Sequence, residues 1–158
     1  MQVIVVMGSK SDWETMKNCT SLLNEFHVSY EARVLSAHRT PEALSHFLKQ
    51  SEESGAQVII AAAGLAAHLA GVVASQTLLP VIGVPMEGGP LKGVDALYSI
   101  VQMPPGIPVS SMAIGKPGAI NSALTAISIL ALHDANLKSA LQNYRHKQAD
   151  KILAEKLE

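Results

Sequence analysis

The order of short apolar runs and helix-like stretches constrains the fold of this chain more than any other feature. Val3 to Met7 is a continuous apolar run that closes at Gly8, and the stretches 57–63 and 81–84 have a similar character. Apolar runs of this length are typical of strands that are covered on both faces of a parallel sheet. We therefore predict buried strands at these three places.

Helical periodicity separates the predicted strands. Apolar residues recur at three- and four-residue steps over 13–26 and again over 41–55. A strand over 30–35 lies between these two helices, and an alanine-rich stretch over 65–77 predicts a short buried helix. Strand, helix, strand steps require right-handed crossovers, which build a parallel sheet with helices on both faces. The predicted fold is a doubly wound α/β domain.

Local polar residues predict how the first two helices begin. Ser11 or Asp12 can cap the helix that follows the first strand, because short polar side chains accept hydrogen bonds from the free N–H groups of a first turn. Thr40 can cap the second helix in the same way. Pro41 suits the first turn of that helix, where its missing N–H costs nothing.

The second half of the chain is predicted to be less regular before it ends in two helices. Glycine and proline predict loops over 87–90 and 103–108, with a short helix over 95–101 between them and a fifth strand over 109–114 after them. Pro85 ends the fourth strand.

The two predicted C-terminal helices suggest contacts with other copies of the chain. The stretch 119–133 is apolar almost all the way round, so a monomer would cover it incompletely, and we expect subunit contacts to bury its outer face. The stretch 136–157 has one apolar side and predicts a helix that packs on a neighbouring subunit. With 158 residues, the whole of 1–158 is predicted to be one catalytic domain.

Composition excludes several classes of partner. The formal net charge is -1 and the pI is near 6.6, so the chain offers no broad cationic field for nucleic acid or for an anionic membrane. A single cysteine, Cys19, cannot form an internal disulfide, and the residues before Val3 show no secretory pattern, so a secretory signal is not expected. We expect a cytoplasmic protein.

Three strand-to-helix junctions carry the residues that could perform chemistry. In an open parallel sheet, ligands collect beyond the carboxyl ends of the strands, and these ends carry 8–9, 36–39 and 63–64. Backbone N–H groups near Ser9 could hold a phosphate at a helix start, although an ordinary capped turn explains the same residues equally well. We expect the three junctions to share one site.

Each candidate side chain has a structural and a functional interpretation. Asp12 either stabilises a helix start or accepts hydrogen bonds from ribose hydroxyls. His38 lies between Ser36 and Arg39 at a strand end, which favours a proton-transferring base beside a fixed cation. His68 is either a hydrogen-bonded core residue or a residue that faces the pocket. Glu87 lies in a glycine-rich loop that could close over the substrate, although exposed loop glutamates usually have no special role. A metal site is not expected.

Four motifs occur in one order and spacing, and together they resemble a known family. They are Gly8-Ser9-Lys10-Ser11-Asp12, Ser36-Ala37-His38-Arg39-Thr40-Pro41, Ala66-Ala67-His68-Leu69 and Ser99-Ile100-Val101-Gln102-Met103-Pro104. The chain is similar to the N5-carboxyaminoimidazole ribonucleotide mutases of bacterial purine biosynthesis from about Val3 to the C-terminal helix. The resemblance implies a flavodoxin-like three-layer fold and a homo-octamer whose active sites lie at subunit junctions.

The resemblance also implies roles for individual residues. Ser9, Asp12 and Arg39 would bind the ribonucleotide substrate, and His38 would move a proton. Ser36, Gly64 and His68 would line the pocket. The chain departs from the commoner pattern at Leu65, where glycine is usual, at Ala70, where proline is usual, and at Glu87-Gly88-Gly89-Pro90, where the usual loop has less glycine.

The implied reaction moves a carboxylate from the exocyclic nitrogen of the substrate to carbon 4 of its ring, without ATP, metal or another cofactor. A separate ATP-dependent synthetase could make the substrate. The close alternative is a carboxylase that adds free carbon dioxide to aminoimidazole ribonucleotide directly. A non-catalytic flavin- or nucleotide-binding module is the alternative of another class, although an aromatic content of 4% offers little for stacking a flavin ring.

Overall fold

The computed structural model describes residues 1–157. Five strands and six α-helices follow one another along the chain, with a turn of 3₁₀ helix, Lys10–Asp12, between the first strand and the first α-helix. The elements are β1 Val3–Met7, α1 Trp13–Glu25, β2 Tyr30–Val34, α2 Pro41–Glu53, β3 Val58–Ala63, α3 Leu69–Ala74, β4 Val81–Pro85, α4 Val94–Val101, β5 Ser110–Ser111, α5 Lys116–Leu130 and α6 Ala135–Leu153.

All five strands form one parallel sheet in the order β2-β1-β3-β4-β5. This is the strand order of the flavodoxin-like doubly wound fold, so the predicted fold class is confirmed. The chain reverses its direction of travel across the sheet between β1 and β3. A crevice at the carboxyl ends of these two strands is the expected place for a ligand.

The buried strands contribute side chains to two hydrophobic cores, one on each face of the sheet. Side chains alternate along β1, so Val5 belongs to the core under α1 and α5 whereas Val6 belongs to the core under α2 and α3. Every residue of β1, β3 and β4 is buried, as the apolar runs predict. Burial also raises the pKa of the Cys19 thiol to about 11, against an opposing hydrogen bond with Ser122, which leaves Cys19 an unreactive core residue.

Two predicted elements are at least twice as long as the observed ones. The helix predicted over 65–77 spans only Leu69–Ala74, because Leu65 and His68 have φ angles of 54° and 56°, which a right-handed helix cannot accommodate. The strand predicted over 109–114 pairs only over Ser110–Ser111, because the chain turns after Met112 to lead into α5.

The helix boundaries differ in part from the prediction. α5 begins at Lys116 rather than at 119, because Pro117 fits a first turn, and it ends at Leu130. α6 begins beside the predicted 136 but ends at Leu153. Asp12 and Thr40 stand at the N-cap positions of α1 and α2 as predicted, but neither side chain accepts the predicted capping hydrogen bond from its helix. Pro41 lies in the first turn of α2 as predicted.

The C-terminal helices lie against the α1 side of the molecule. Two side chains of α6 make this contact. Tyr144 packs on Phe26 with ring centroids 5.7 Å apart, and Leu137, in the first turn of α6, is buried. Beyond Tyr144, Ile152 and Leu153 are exposed, so the end of α6 extends away from this core. Glu158, the last residue of the predicted domain, lies outside the described residues. In the described part of the chain, no helix has the length and apolar character needed to cross a bilayer.

Candidate active site

A cavity of about 720 Å³ opens at the carboxyl ends of β1, β2, β3 and β4. The junctions after β1, β2 and β3 therefore meet at one place, as the sequence predicts. The lining residues are Gly8, Ser9, Ser11, Asp12, Ser36, Ala37, His38, Arg39, Ala63, Gly64, Leu65, Ala67, Leu69, Met86, Glu87, Gly88 and Gly89.

The turn after β1 is held by a reciprocal capping box. Ser9 Oγ accepts a hydrogen bond from Ser11 N at 3.3 Å, and Asp12 Oδ2 accepts one from Ser9 N at 3.0 Å. Ser11 Oγ also lies 3.0 Å from Ser9 Oγ. The cap belongs to the 3₁₀ turn and not to α1, so it lies at Ser9 rather than at the predicted Ser11 or Asp12.

Asp12 has an environment that opposes its charge. Its side chain is buried, and this loss of solvation raises the pKa of the Asp12 carboxyl above its ordinary value of 3.8. The hydrogen bond from the backbone N–H of Ser9 acts in the opposite direction. A carboxylate so placed gains from any further hydrogen-bond donor, including a hydroxyl group of a ligand.

The turn after β2 is tied together by the Ser36 and Thr40 side chains. Thr40 Oγ1 accepts from Ser36 N at 2.9 Å and donates to Ser36 O at 3.0 Å, so this hydroxyl is not available to cap α2. Ser36 Oγ accepts from the backbone N–H of Arg39 at 3.2 Å. His38 lies at the middle of this closed turn, exposed and facing the cavity.

Arg39 links the first two turns. Its Nη2 donates to the backbone oxygen of Gly8 at 3.2 Å, and its Nε lies 3.4 Å from Ser36 Oγ. Among residues 1–157 the ion pairs are Lys17 with Glu14 and Arg33 with Glu31, so no carboxylate in this part of the chain neutralises Arg39. An unneutralised guanidinium beside a helix start favours a phosphate or a carboxylate ligand.

The remaining lining residues follow β3 and β4 and are mostly apolar. Met86 N donates to Ala63 O at 3.0 Å, which joins the ends of these two strands, and Leu65, Ala67 and Leu69 extend the apolar surface. Glu87, to which the sequence assigned no special role, lies in the cavity lining with Gly88 and Gly89.

Six of the seven predicted site residues line the cavity, and His68 does not. The His68 ring lies over Gly71, since a Cβ placed on Gly71 would lie 2.2 Å from His68 Cε1. The left-handed backbone at His68 directs the ring along α3 rather than toward the cavity. The sequence therefore located this residue near the site without predicting its orientation.

Two residues of the cavity lining, Ser11 and Met86, were not predicted as site residues. Ser11 was considered only as a cap, although it stands two residues after Ser9 in the same turn. Met86 was not considered, although it follows directly on the end of β4, so the rule that located the other three junctions would have found it. Among residues 1–157 no cluster of His, Cys, Asp or Glu side chains could hold a metal ion.

The chain resembles known proteins over nearly its whole length. Residues 2–151 match the family model described as AIR carboxylase, which includes every residue of the cavity lining. The chain belongs to the AIR carboxylase family.

Characterised relatives in this family carry a more specific name. The N5-carboxyaminoimidazole ribonucleotide mutase of Escherichia coli (strain K12) is 53% identical over 96% of this chain and 90% of the relative. The protein of that name from Haemophilus influenzae is 53% identical over 96% of this chain and 93% of the relative.

A solved structure supports the same family at the level of the fold. The crystal structure of Treponema denticola PurE superposes with a TM-score of 0.87 at 30% sequence identity, covering 96% of this chain and 94% of the other. The doubly wound fold of this chain is thus also the fold of a solved PurE structure.

Proposed function

We propose that this protein is an N5-carboxyaminoimidazole ribonucleotide mutase of purine biosynthesis, which converts its substrate to 4-carboxy-5-aminoimidazole ribonucleotide. The observation that carries the proposal is the 53% identity to relatives of that name over 96% of the chain, including the whole cavity lining. The cavity adds a titratable base and an unneutralised cation side by side, which the reaction and its substrate need.

The substrate phosphate is best accommodated between the turn after β1 and Arg39. Ser9 Oγ already accepts from Ser11, so its own proton is free to be donated to a phosphate oxygen. The buried Asp12 carboxylate can accept hydrogen bonds, so it is assigned to the ribose hydroxyls. Ser36 and Gly64 are assigned to the pocket around the ring, and His68 is assigned no contact with the substrate.

His38 is assigned both proton transfers. The carbamate N–C bond breaks, its electron pair goes to the exocyclic nitrogen, and protonated His38 donates a proton to that nitrogen. Carbon 4 of the ring then forms a bond to carbon dioxide. Neutral His38 finally removes the proton from carbon 4, which restores aromaticity and regenerates the starting form of the enzyme.

Confinement is the second contribution of the site. Carbon dioxide released into open solution would diffuse away, whereas carbon dioxide held beside carbon 4 reacts as part of a near-unimolecular step. The reaction therefore needs a cavity that closes around two fragments, one charged and one apolar.

A labelling experiment tests the proposal against direct carboxylation by free carbon dioxide. Substrate that carries ¹³C in its carbamate is converted in unlabelled bicarbonate buffer, and the label in the product is measured by mass spectrometry. A mutase retains the label, whereas a carboxylase incorporates unlabelled carbon and would overturn the proposal. Purified protein that binds flavin and shows no turnover would instead support the non-catalytic module.

We also propose that the protein forms a homo-octamer and that α6 packs on a neighbouring subunit. α4 supports assembly, because Leu91, Val94, Tyr98 and Val101 lie exposed at helical spacing on and just before it. Light scattering coupled to size exclusion should give the mass of eight copies of a 16.7 kDa chain. A monomeric mass in solution would contradict this assignment.

Two cellular assignments complete the proposal. We place the protein in the cytoplasm, which suits its single unpaired cysteine. We also infer that an ATP-dependent synthetase supplies the carbamate, because forming a carbamate on a weakly basic aromatic amine requires an energy source. Fractionation of the native cell tests the first assignment, and a coupled assay with ATP, bicarbonate and aminoimidazole ribonucleotide in cell extract tests the second.

A further inference from the structure

Leu65 adopts a backbone conformation that leucine rarely uses. Its φ is 54°, in the left-handed region that costs roughly 1–2 kcal/mol for a residue with a Cβ. Glycine would occupy this turn without that cost. The leucine side chain must therefore either be incidental or make a contact that offsets the strain.

The Leu65 side chain rests on a glycine in the neighbouring loop. A Cβ placed on Gly89 would lie 2.5 Å from Leu65 Cδ2, so the leucine methyl occupies the space that a side chain on Gly89 would need. Gly89 itself has a φ of 63°. A Cβ placed on the adjacent Gly88 would meet no atom within 4 Å, so the close approach is specific to Gly89.

This contact adds a second connection between the two loops. Met86 N donates to Ala63 O at 3.0 Å where the loops begin, and within the loop after β4 Lys92 N donates back to Gly89 O at 3.3 Å. Leu65 belongs to the turn after β3. The residue is 54% exposed, and its side chain lies against Gly89 and lines the cavity at the same time.

We propose that Leu65, seated on Gly89, closes the apolar side of the cavity and determines how much of the released carbon dioxide is captured by carbon 4. The proposal rests on the mutase function proposed above. Carbon dioxide carries no net charge, so exclusion by an apolar wall retains it better than hydrogen bonds would. The turns after β1 and β2, to which the phosphate is assigned, line the other side of the cavity.

The experiment measures partition rather than rate alone. Carbamate-labelled substrate is turned over by the full-length enzyme in unlabelled bicarbonate, and labelled product is compared with released aminoimidazole ribonucleotide. Leu65→Ala should raise the ratio of released to transferred carboxylate about tenfold, the order expected when an apolar side chain is removed from a fitted pocket. Leu65→Gly should do the same while removing the left-handed strain, so a folding defect cannot produce both results.

Gly89→Ala tests the other half of the contact. It should displace the leucine and raise the same ratio, and combining it with Leu65→Ala should add little, because both changes open one contact. Gly55→Ala is the matched control, since Gly55 has a φ of 88°, meets nothing within 4 Å and lies outside the cavity. Leu78→Ala controls for loss of an exposed leucine elsewhere.

The outcomes separate this inference from the function on which it rests. If the unmodified enzyme retains its label and Leu65→Ala and Leu65→Gly retain it equally well, the closure by Leu65 is wrong and the mutase function stands. If the unmodified enzyme exchanges its label completely, the mutase function itself is wrong. Additive effects of Leu65→Ala and Gly89→Ala would show that the two residues do not act through one contact.

Discussion

The cavity has two sides that are built differently. The turns after β1 and β2 are held by side chains that bond to backbone groups, as in the Ser9 capping box and in the bonds that Thr40 makes to Ser36. The loops after β3 and β4 have mostly apolar lining residues, with Glu87 as the charged exception, and left-handed backbone shapes them. Leu65, His68, Gly89, Lys92 and Gly93 have positive φ angles there.

The difference matches the two fragments that the proposed reaction separates. Hydrogen-bonded turns present dipoles and a guanidinium to a charged ribotide. Left-handed backbone brings two loops close enough for Leu65 to contact Gly89. The resulting apolar surface suits uncharged carbon dioxide. Substitutions on the polar side should therefore change turnover and binding, whereas those on the apolar side should change carboxylate retention.

The largest effect is expected at His38. His38→Asn keeps a polar side chain of similar reach but cannot exchange a proton near neutral pH, so kcat should fall by about 10²- to 10⁴-fold while the circular dichroism spectrum and product binding are kept. His46→Asn, on the exposed face of α2, is the control and should turn over normally. A near-normal kcat for His38→Asn would show that His38 is not the residue that transfers the proton.

Arg39 should have the next largest effect, on binding rather than on chemistry. Arg39→Ala removes a charge-assisted contact, so the substrate KM should rise by about 10- to 100-fold with a smaller change in kcat. Ser9→Ala should act in the same direction, less strongly. Arg145→Ala, exposed on α6, serves as the control. An unchanged KM for Arg39→Ala would mean that the phosphate lies elsewhere.

Thr40 tests whether hydrogen bonds hold the polar side in place. Thr40→Ala deletes both bonds to Ser36 and should lower the free energy of unfolding by about 1 kcal/mol, with a loss of kcat because the His38 turn loosens. Thr40→Ser keeps the hydroxyl and should restore both quantities in urea titrations and initial-rate assays. Failure of serine to restore kcat would show that the methyl group, not the hydroxyl, matters.

Asp12 gives the smallest and most pH-dependent effect. Its pKa is higher in the folded protein than the ordinary 3.8, so folding is favoured most below that ordinary value, and this contribution is lost as pH rises through the raised pKa. Asp12→Asn removes the dependence but keeps an oxygen that can accept from Ser9.

Urea unfolding of both proteins from below pH 3.8 to neutrality measures the effect. The variant should gain stability relative to the unmodified protein as the pH rises through that window. If the difference in unfolding free energy between the two proteins does not change with pH, burial does not raise the pKa of Asp12.

The elements that could be predicted best are those with strong local patterns. The uninterrupted apolar residues of Val3–Met7 predicted a strand with the observed bounds, and the periodic residues of α1 predicted the face that packs on the sheet. The late start of α3 could not be predicted, because an alanine-rich stretch is locally compatible with a helix from Leu65 onward. In the folded protein, Leu65 and His68 instead have left-handed backbone, which delays the helix to Leu69.

The site shows the same division. The rule that ligands bind at strand ends placed Ser9, His38 and Arg39 together, although their roles remain predictions. The rule places residues at an edge of the sheet without specifying orientation, so it could not tell that the His68 ring lies over Gly71. It also gave little weight to Glu87, whose position in the cavity lining depends on the path of the loop after β4.

The amino-acid sequence by itself determined the order of strands and helices, the two buried cores and the sheet edge at which the functional residues meet, because hydrophobic periodicity and turn chemistry act over a few neighbouring residues. Only the tertiary structure decided that Arg39 reaches the Gly8 carbonyl and that Leu65 rests on Gly89. These contacts join residues more than twenty positions apart, and their distances depend on how the sheet brings separate loops together.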